Sequence, residues 1–173
     1  MLPQRKNSLR LKNHDYNRCG LYFITICIHE KKPYLSIVPV GATHESPAPL
    51  LTKAGTIVDN LITALPSRFN LRVDKYVIMP NHVHILFRIS DPRLVRATRE
   101  SPLQAVPSEI ARAVGYMKMN SSKEIHRMGI EGKIWQRGFH DHVVRNQRDY
   151  ENIWKYIHCN PAIWHKDKFF ITK

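Results

Sequence analysis

Residues 71–89 read LRVDKYVIMPNHVHILFRI, two runs with apolar residues mainly on alternate positions, separated by Pro80-Asn81. Alternation with a period of two marks strands that bury one face, and Pro-Asn supplies turn chemistry. Leu71–Met79 and His82–Ile89 are therefore expected to form a hairpin. In its second strand Val83, Ile85, Phe87 and Ile89 point to one face, and His82 and His84 to the other. Upstream, LYFITICIH at 21–29 is dense in aromatic and β-branched residues and reads as a buried central strand.

Between these strands, residues 38–51 carry prolines and small residues and read as a surface loop. Ile57, Val58, Leu61, Ile62 and Leu65 then recur at helical spacing, ending near Pro66. Downstream, residues 91–107 form a basic, proline-bounded connection, and Ile110, Val114 and Met117 lie on one helical stripe starting at Ser108. Residues 134–144 read as an irregular last strand broken at Gly138. Asn146 then caps a helix with Tyr150, Ile153, Trp154 and Ile157 on its apolar face, ending by Asn160-Pro161. The order strand, helix, strand, strand, helix, strand, helix predicts an α+β fold. It is a ferredoxin-like sandwich with an antiparallel sheet and helices mainly on one face; all of them could cover one side.

At roughly 150 residues per domain, 173 residues form a single unit, 1–173. A hydrophobic share of 43% with 7 glycines and 11 prolines excludes disordered and collagen-like classes. Lys plus Arg number 27 against 14 acidic residues, 27 − 14 = +13, a charge that favours a polyanionic partner, most commonly nucleic acid. Cys19, Cys27 and Cys159 are an odd set without zinc-like spacing, which argues against a disulfide framework and suits a reducing cytoplasm. No run reaches the roughly 18 apolar residues of a membrane span, and the basic start lacks a signal-peptide apolar stretch, so no membrane partner is expected.

Two imidazoles at i and i+2 of a strand stand about 7 Å apart on one side and can aim ring nitrogens at a common ion. His82 and His84 have that spacing, which also occurs where histidines are merely structural. A second pair, His140 and His142, flanks an acid; there His142 reads as structural or substrate-contacting and His140 as exposed. A zinc site from all four has no Cys or Glu at zinc-enzyme spacing to support it. On the last helix, about 100° per residue puts Tyr156 at the edge of the apolar stripe and Asn160 one turn on at nearly the same azimuth. Both could face one site. On an arbitrary helix, however, a tyrosine at the rim of a core and an asparagine at a helix end are more often ordinary packing. Tyr150 shares no clean face with Tyr156, which is the better nucleophile of the two.

The stretches RLKNHDYNRCGLYFITICIHEK (10–31), YVIMPNHVHILF (76–87), GYMKMNSSKEIH (115–126) and IWQRGFHDHVVRNQRDYENIWKYIHCNPA (134–162) together resemble the HUH single-tyrosine transposases of single-stranded insertion sequences. The likeness is greatest to the REP-associated tyrosine transposases, and HVH supplies the His–bulky apolar–His signature. The resemblance implies a ferredoxin-like fold and a divalent metal, Mg2+ or Mn2+, held by His82, His84 and Asn160. It also implies Tyr156 as the nucleophile on single-stranded DNA beside a hairpin. The products would be a 5′-phosphotyrosine and a free 3′-hydroxyl, with the covalent link conserving the bond for rejoining. A homodimer or a monomer fits the group, as does a bacterial, nucleoid-associated cytoplasmic location. Arg10, Lys12, Arg93, Arg96 and Arg99 are the expected phosphate contacts, with His142 a further DNA contact. After Asn160-Pro161 the chain reads AIWHKDKFFITK, unlike the GLV-like and W-P-x-S-S-like continuation of the REP-linked subgroup. Two other functions remain open on the residues: a DNA-binding protein without catalysis, and a nuclease using metal-bound water.

Overall fold

In the computed structural model, which describes residues 19–39, 49–90 and 108–170, the chain begins with β1 (Gly20–Cys27), β2 (Ser36–Ile37), β3 (Leu50–Leu51) and α1 (Lys53–Ala64). It continues through β4 (Arg72–Ile78), β5 (His82–Ile89), α2 (Glu109–Arg127), β6 (His140–Val144) and α3 (Gln147–Cys159). The main sheet has the order β4-β5-β1-β6 with every neighbouring pair antiparallel. This is the α+β, ferredoxin-like arrangement, two strand-helix-strand halves sharing one sheet. The hairpin predicted at 71–89 is β4 and β5, and the predicted central strand is β1, lying between β5 and β6.

Pleating gives the sheet two unlike faces. Tyr22, Ile24 and Ile26 of β1 and Val83, Ile85, Phe87 and Ile89 of β5 meet Val58 and Ile62 of α1 and Ile110, Ala113, Val114 and Met117 of α2. The opposite face carries Phe23, Val77, Met79 and Leu86, covered by Ile153 and Ile157 of α3. The helices thus lie two on one face and one on the other, and α3 departs from the possibility that all cover one side. The reason is in the strands: Phe23 of β1, Val77 of β4, Met79 beyond its end and Leu86 of β5 form an apolar patch on this face that needs cover of its own.

Local chemistry sets the helix ends. Thr52 caps α1 by accepting from the Gly55 N–H, Ser108 caps α2 through Ala111, and Asn146 caps α3 through Asp149. Gly55 is required by proximity, because a Cβ there would collide with the Leu35 carbonyl oxygen as the 28–39 segment crosses α1. The loop expected at 38–51 contributes the short β2–β3 ladder, Ser36 opposite Leu51 and Ile37 opposite Leu50; residues 40–48 lie outside the described set.

Three elements differ in extent from the sequence reading. β1 stops at Cys27 rather than His29, because the chain then turns through Glu30 and Lys31 at φ 55° and 54°. The final strand is confined to His140–Val144: Trp135 makes only a bridge with Ile28, and Gly138 at φ 73° breaks the run between them. Trp154 leaves the apolar stripe of α3, staying 39% exposed with the Lys75 ammonium 4.3 Å from its ring centre. Among the described residues no helix is long and apolar enough to cross a membrane.

Because α3 buries only Ile153 and Ile157 fully, its docking rests on few contacts. Replacing Ile157 with Ala is expected to lower unfolding free energy by about 2–5 kcal/mol. Urea denaturation followed by circular dichroism measures it; a loss under about 0.5 kcal/mol would show that α3 is held by other means.

Candidate functional site

β5 begins with His82 and His84, which point to the α3 face and are 0% and 1% exposed. Burial of two imidazoles is costly unless their nitrogens are partnered. Here each Nδ1 has a neighbour: His82 Nδ1 lies 3.0 Å from Asn81 Oδ1, and His84 Nδ1 lies 2.8 Å from Thr25 Oγ1 on β1. The two Nε2 atoms converge on each other at 3.0 Å.

Hydrogen bonding dictates where the ring protons sit. Asn81 donates both amide hydrogens' worth of Nδ2 capacity to the carbonyls of Lys31 (3.1 Å) and Phe169 (2.8 Å), so its Oδ1 must accept from His82 Nδ1–H. That leaves a lone pair on His82 Nε2. His84 then donates from Nε2 to it and accepts the Thr25 hydroxyl at Nδ1. A hydroxyl can also accept, so Thr25 is equally able to serve the other tautomer, in which both Nε2 atoms carry lone pairs. Burial holds His82 down to about 4, with Asp167 opposing and Lys168 and Lys31 adding to the fall. Burial, reinforced by His82 and Lys168, keeps His84 well below the ordinary imidazole value. Both rings are neutral near pH 7, the form in which imidazole binds metals.

From the opposite side α3 brings Tyr156, whose hydroxyl is 3.3 Å from His84 Nε2 and 3.3 Å from the Asp167 Oδ2 that accepts it. Its ring packs edge-on against Phe23, which in turn lies against His84. Burial, then the Asp167 carboxylate, push the phenol above its ordinary value, while Asn160 pulls the other way. Asn160, the C-terminal cap of α3, is fully buried; its Nδ2 donates to Asp167 Oδ2 at 2.9 Å, and its Oδ1 has no hydrogen-bond partner among the described residues. His82, His84, Tyr156 and Asn160 are therefore gathered at one place, the first three by direct contact and Asn160 through Asp167.

The sequence carries no signal for the part Asp167, Asn81 and Thr25 take in this cluster. Asp167 sits after α3 in WHKDKFF, a stretch without strand or helix periodicity, and its place depends on the chain folding back: Phe169 is buried with its ring centre 4.5 Å from that of His82. Asn81 read as turn chemistry alone and Thr25 as one residue of an apolar strand. His142 is half-buried and bonded to Asp149 Oδ2 at 2.8 Å, tying β6 to the first turn of α3, and His140 is exposed. Arg10, Lys12, Arg93, Arg96 and Arg99 lie outside the described residues.

No family model matches the chain. An uncharacterized protein of Haemophilus influenzae is 28% identical over 175 residues, covering 96% of this chain and 93% of that protein. A second protein of that organism, provisionally named a REP-associated tyrosine transposase, is 24% identical over 161 residues, 86% of this chain and 73% of the relative. Among solved structures, the REP-associated tyrosine transposase bound to a REP hairpin superposes with a TM-score of 0.57 at 18% identity, over 92% of this chain and 76% of that one. The chain has the REP-associated tyrosine transposase fold. The resemblance read from HVH and the YENIWKYIHCNP segment accordingly extends to the three-dimensional structure. The donor set is suited to a divalent cation: two neutral imidazoles whose Nε2 atoms converge and, reached through Asp167, a buried amide oxygen with no partner among the described residues.

The depressed imidazoles make stability depend on pH. Above about pH 6.5 they are neutral in both folded and unfolded chains; as pH falls toward about 4 the unfolded chain binds protons that folded His82 does not, and stability is lost. Urea unfolding in EDTA is expected to weaken between about pH 7.5 and about pH 4.5, and less so when both histidines are replaced by Asn. Equal weakening in the two proteins would assign the effect to other groups.

Proposed function

We propose that the protein is an HUH-type transposase, a metal-dependent enzyme that cleaves and rejoins single-stranded DNA near hairpins through a 5′-phosphotyrosine. The observation that carries this reading is the Tyr156 hydroxyl 3.3 Å from His84 Nε2, at the point where the two buried Nε2 atoms meet. A nucleophile, a cation site and a phosphodiester need to share one small volume, and these are the groups that would define it.

His82, His84 and Asn160 would hold the cation, Mg2+ or Mn2+, which when bound polarises phosphoryl oxygens and neutralises charge developing on them. Tyr156 supplies the attacking oxygen. In the resting protein its proton stays on Oη, directed at Asp167 Oδ2. Attack of Oη on phosphorus, with loss of the phenolic proton, makes the Tyr–phosphate bond and breaks the bond to the 3′-oxygen, which leaves as the free 3′-hydroxyl by taking up a proton, so that net one proton passes from Oη to the 3′-oxygen. Reversal with a different 3′-hydroxyl rejoins the strand, so no external energy source is needed. Thr25 and Asn81 orient the imidazoles, and the edge-on packing of Phe23 fixes the tyrosine ring. The net charge of +13 supports a nucleic-acid partner, as does the hairpin carried by the solved relative. Arg10, Lys12, Arg93, Arg96, Arg99 and His142 are the proposed DNA contacts.

One observation favours a second reading, DNA binding without cleavage: Phe169, only 7% exposed, lies against His82 and narrows access to the imidazoles. Incubation with labelled hairpin-flanked single strands and Mg2+ or Mn2+ separates the two. The enzyme is expected to form a covalent adduct that resists denaturing gels, with Tyr156→Phe reducing it at least about a thousandfold while leaving salt-sensitive binding intact. Binding with no adduct under either metal would select the second reading. Cleavage that survives Tyr156→Phe but not His82→Ala would instead indicate metal-bound water as nucleophile.

A further inference from the structure

We propose that Asp167 is an anionic ligand of the cation site, joining His82, His84 and Asn160, whose Nδ2 also holds the Asp167 carboxylate in place. This rests on the metal-dependent reading above and adds to it a residue from outside the strand and helix that carry the other groups.

One ligand atom from each of His82, His84 and Asp167 lies within 4.8 Å of the others. Ligands placed about 2.0–2.2 Å from one centre lie at most about 4.4 Å apart, so a small inward movement of the carboxylate would bring the three atoms to coordination distance. Charge argues in the same direction. Two neutral imidazoles and one neutral amide are a weak set for a dication in a chain of net charge +13, and Lys31 and Lys168 are near enough to be felt at His82. A single carboxylate offsets part of that field and supplies the charge that hard divalent ions prefer.

The carboxylate is also held in advance. Its Oδ1 accepts the Phe169 N–H at 2.7 Å, and its Oδ2 accepts Asn160 Nδ2 at 2.9 Å and the Tyr156 hydroxyl at 3.3 Å. Of about four lone-pair positions on a carboxylate, three are used among the described residues and one stays available on Oδ1. Asn160 must present Nδ2 to Asp167, since the flipped amide would set oxygen against oxygen, and this orientation is what leaves its buried Oδ1 without a partner. The segment bearing Asp167 is fastened by the Asn81 Nδ2 bond to the Phe169 carbonyl. Asn81 therefore ties the same backbone to His82, so that one side chain registers two ligands against each other.

The test is Mn2+ binding by the full chain without DNA, followed by the electron paramagnetic resonance of free Mn2+ and by the metal-induced rise in thermal midpoint. Asp167→Asn keeps the size of the side chain and removes its charge; Asp167→Ala removes both and avoids placing a new amide beside Asn160. Each is expected to weaken Mn2+ binding at least about tenfold and to shrink the metal-induced rise. His82→Ala serves as the reference for loss of the site. Wild-type affinity in both Asp167 variants, with loss in His82→Ala, would overturn the role of Asp167 and leave the metal reading standing. Absence of Mn2+ binding by the wild-type chain would overturn both.

Discussion

The antiparallel pairing of β1 with β5 is the constraint on which the other features depend. It sets Thr25 opposite His84 and Cys27 opposite His82, and in the same register aligns Ile24 with Ile85 and Ile26 with Val83 on the other face. A slip of one residue would drive both imidazoles into the space filled by α1 and α2 and turn Val83 and Ile85 toward α3. Core and candidate site are thus specified by one ladder. The apolar face locks the register, and the polar positions inherit their location from it.

Burying two imidazoles and an amide under α3 places polar groups where unpartnered ones are expensive. Asn81 and Thr25 meet that cost on the Nδ1 side of the rings. On the Nε2 side the rings meet each other and Tyr156, with a carboxylate oxygen of Asp167 close by, so polar atoms from β5, α3 and the segment after α3 converge on a common spot. A neutral, dry pair of imidazoles within a strongly basic chain resists protonation, and the same property suits it to a metal ion. The Thr25 hydroxyl, able to donate or accept, keeps His84 Nδ1 partnered in either tautomer, while the tautomer with a lone pair on both Nε2 atoms gives up the bond between the rings.

The chain beyond α3 gives the site its remaining wall. Asp167 gathers hydrogen bonds from Asn160, Tyr156 and the Phe169 backbone, and Phe169 packs on His82. These contacts join a helix end, a strand start and a short irregular segment into one unit. Its separate parts have little regular structure in common; their coupling runs through a carboxylate and one asparagine, Asn81.

Much of this could be read from residue order. The alternation in 71–89 identified the hairpin and separated His82 and His84 from Val83 and Ile85, because side-chain direction in a strand follows from position alone. The azimuth of Tyr156 and Asn160 on α3 followed likewise from helical geometry. The place of α3 on the histidine face could not be read, since an amphipathic stripe says that a helix is covered and not by which surface; nor could the exposure of Trp154, which depends on α3 lying over Lys75. Asp167 was beyond reach for a related reason. WHKDKFF has no period, so nothing local assigns it a direction, and only the folded-back chain, with Phe169 buried on His82 and Asn81 grasping its carbonyl, brings that carboxylate to the imidazoles. Local spacing determines which residues share a face; which faces meet is decided by long-range packing.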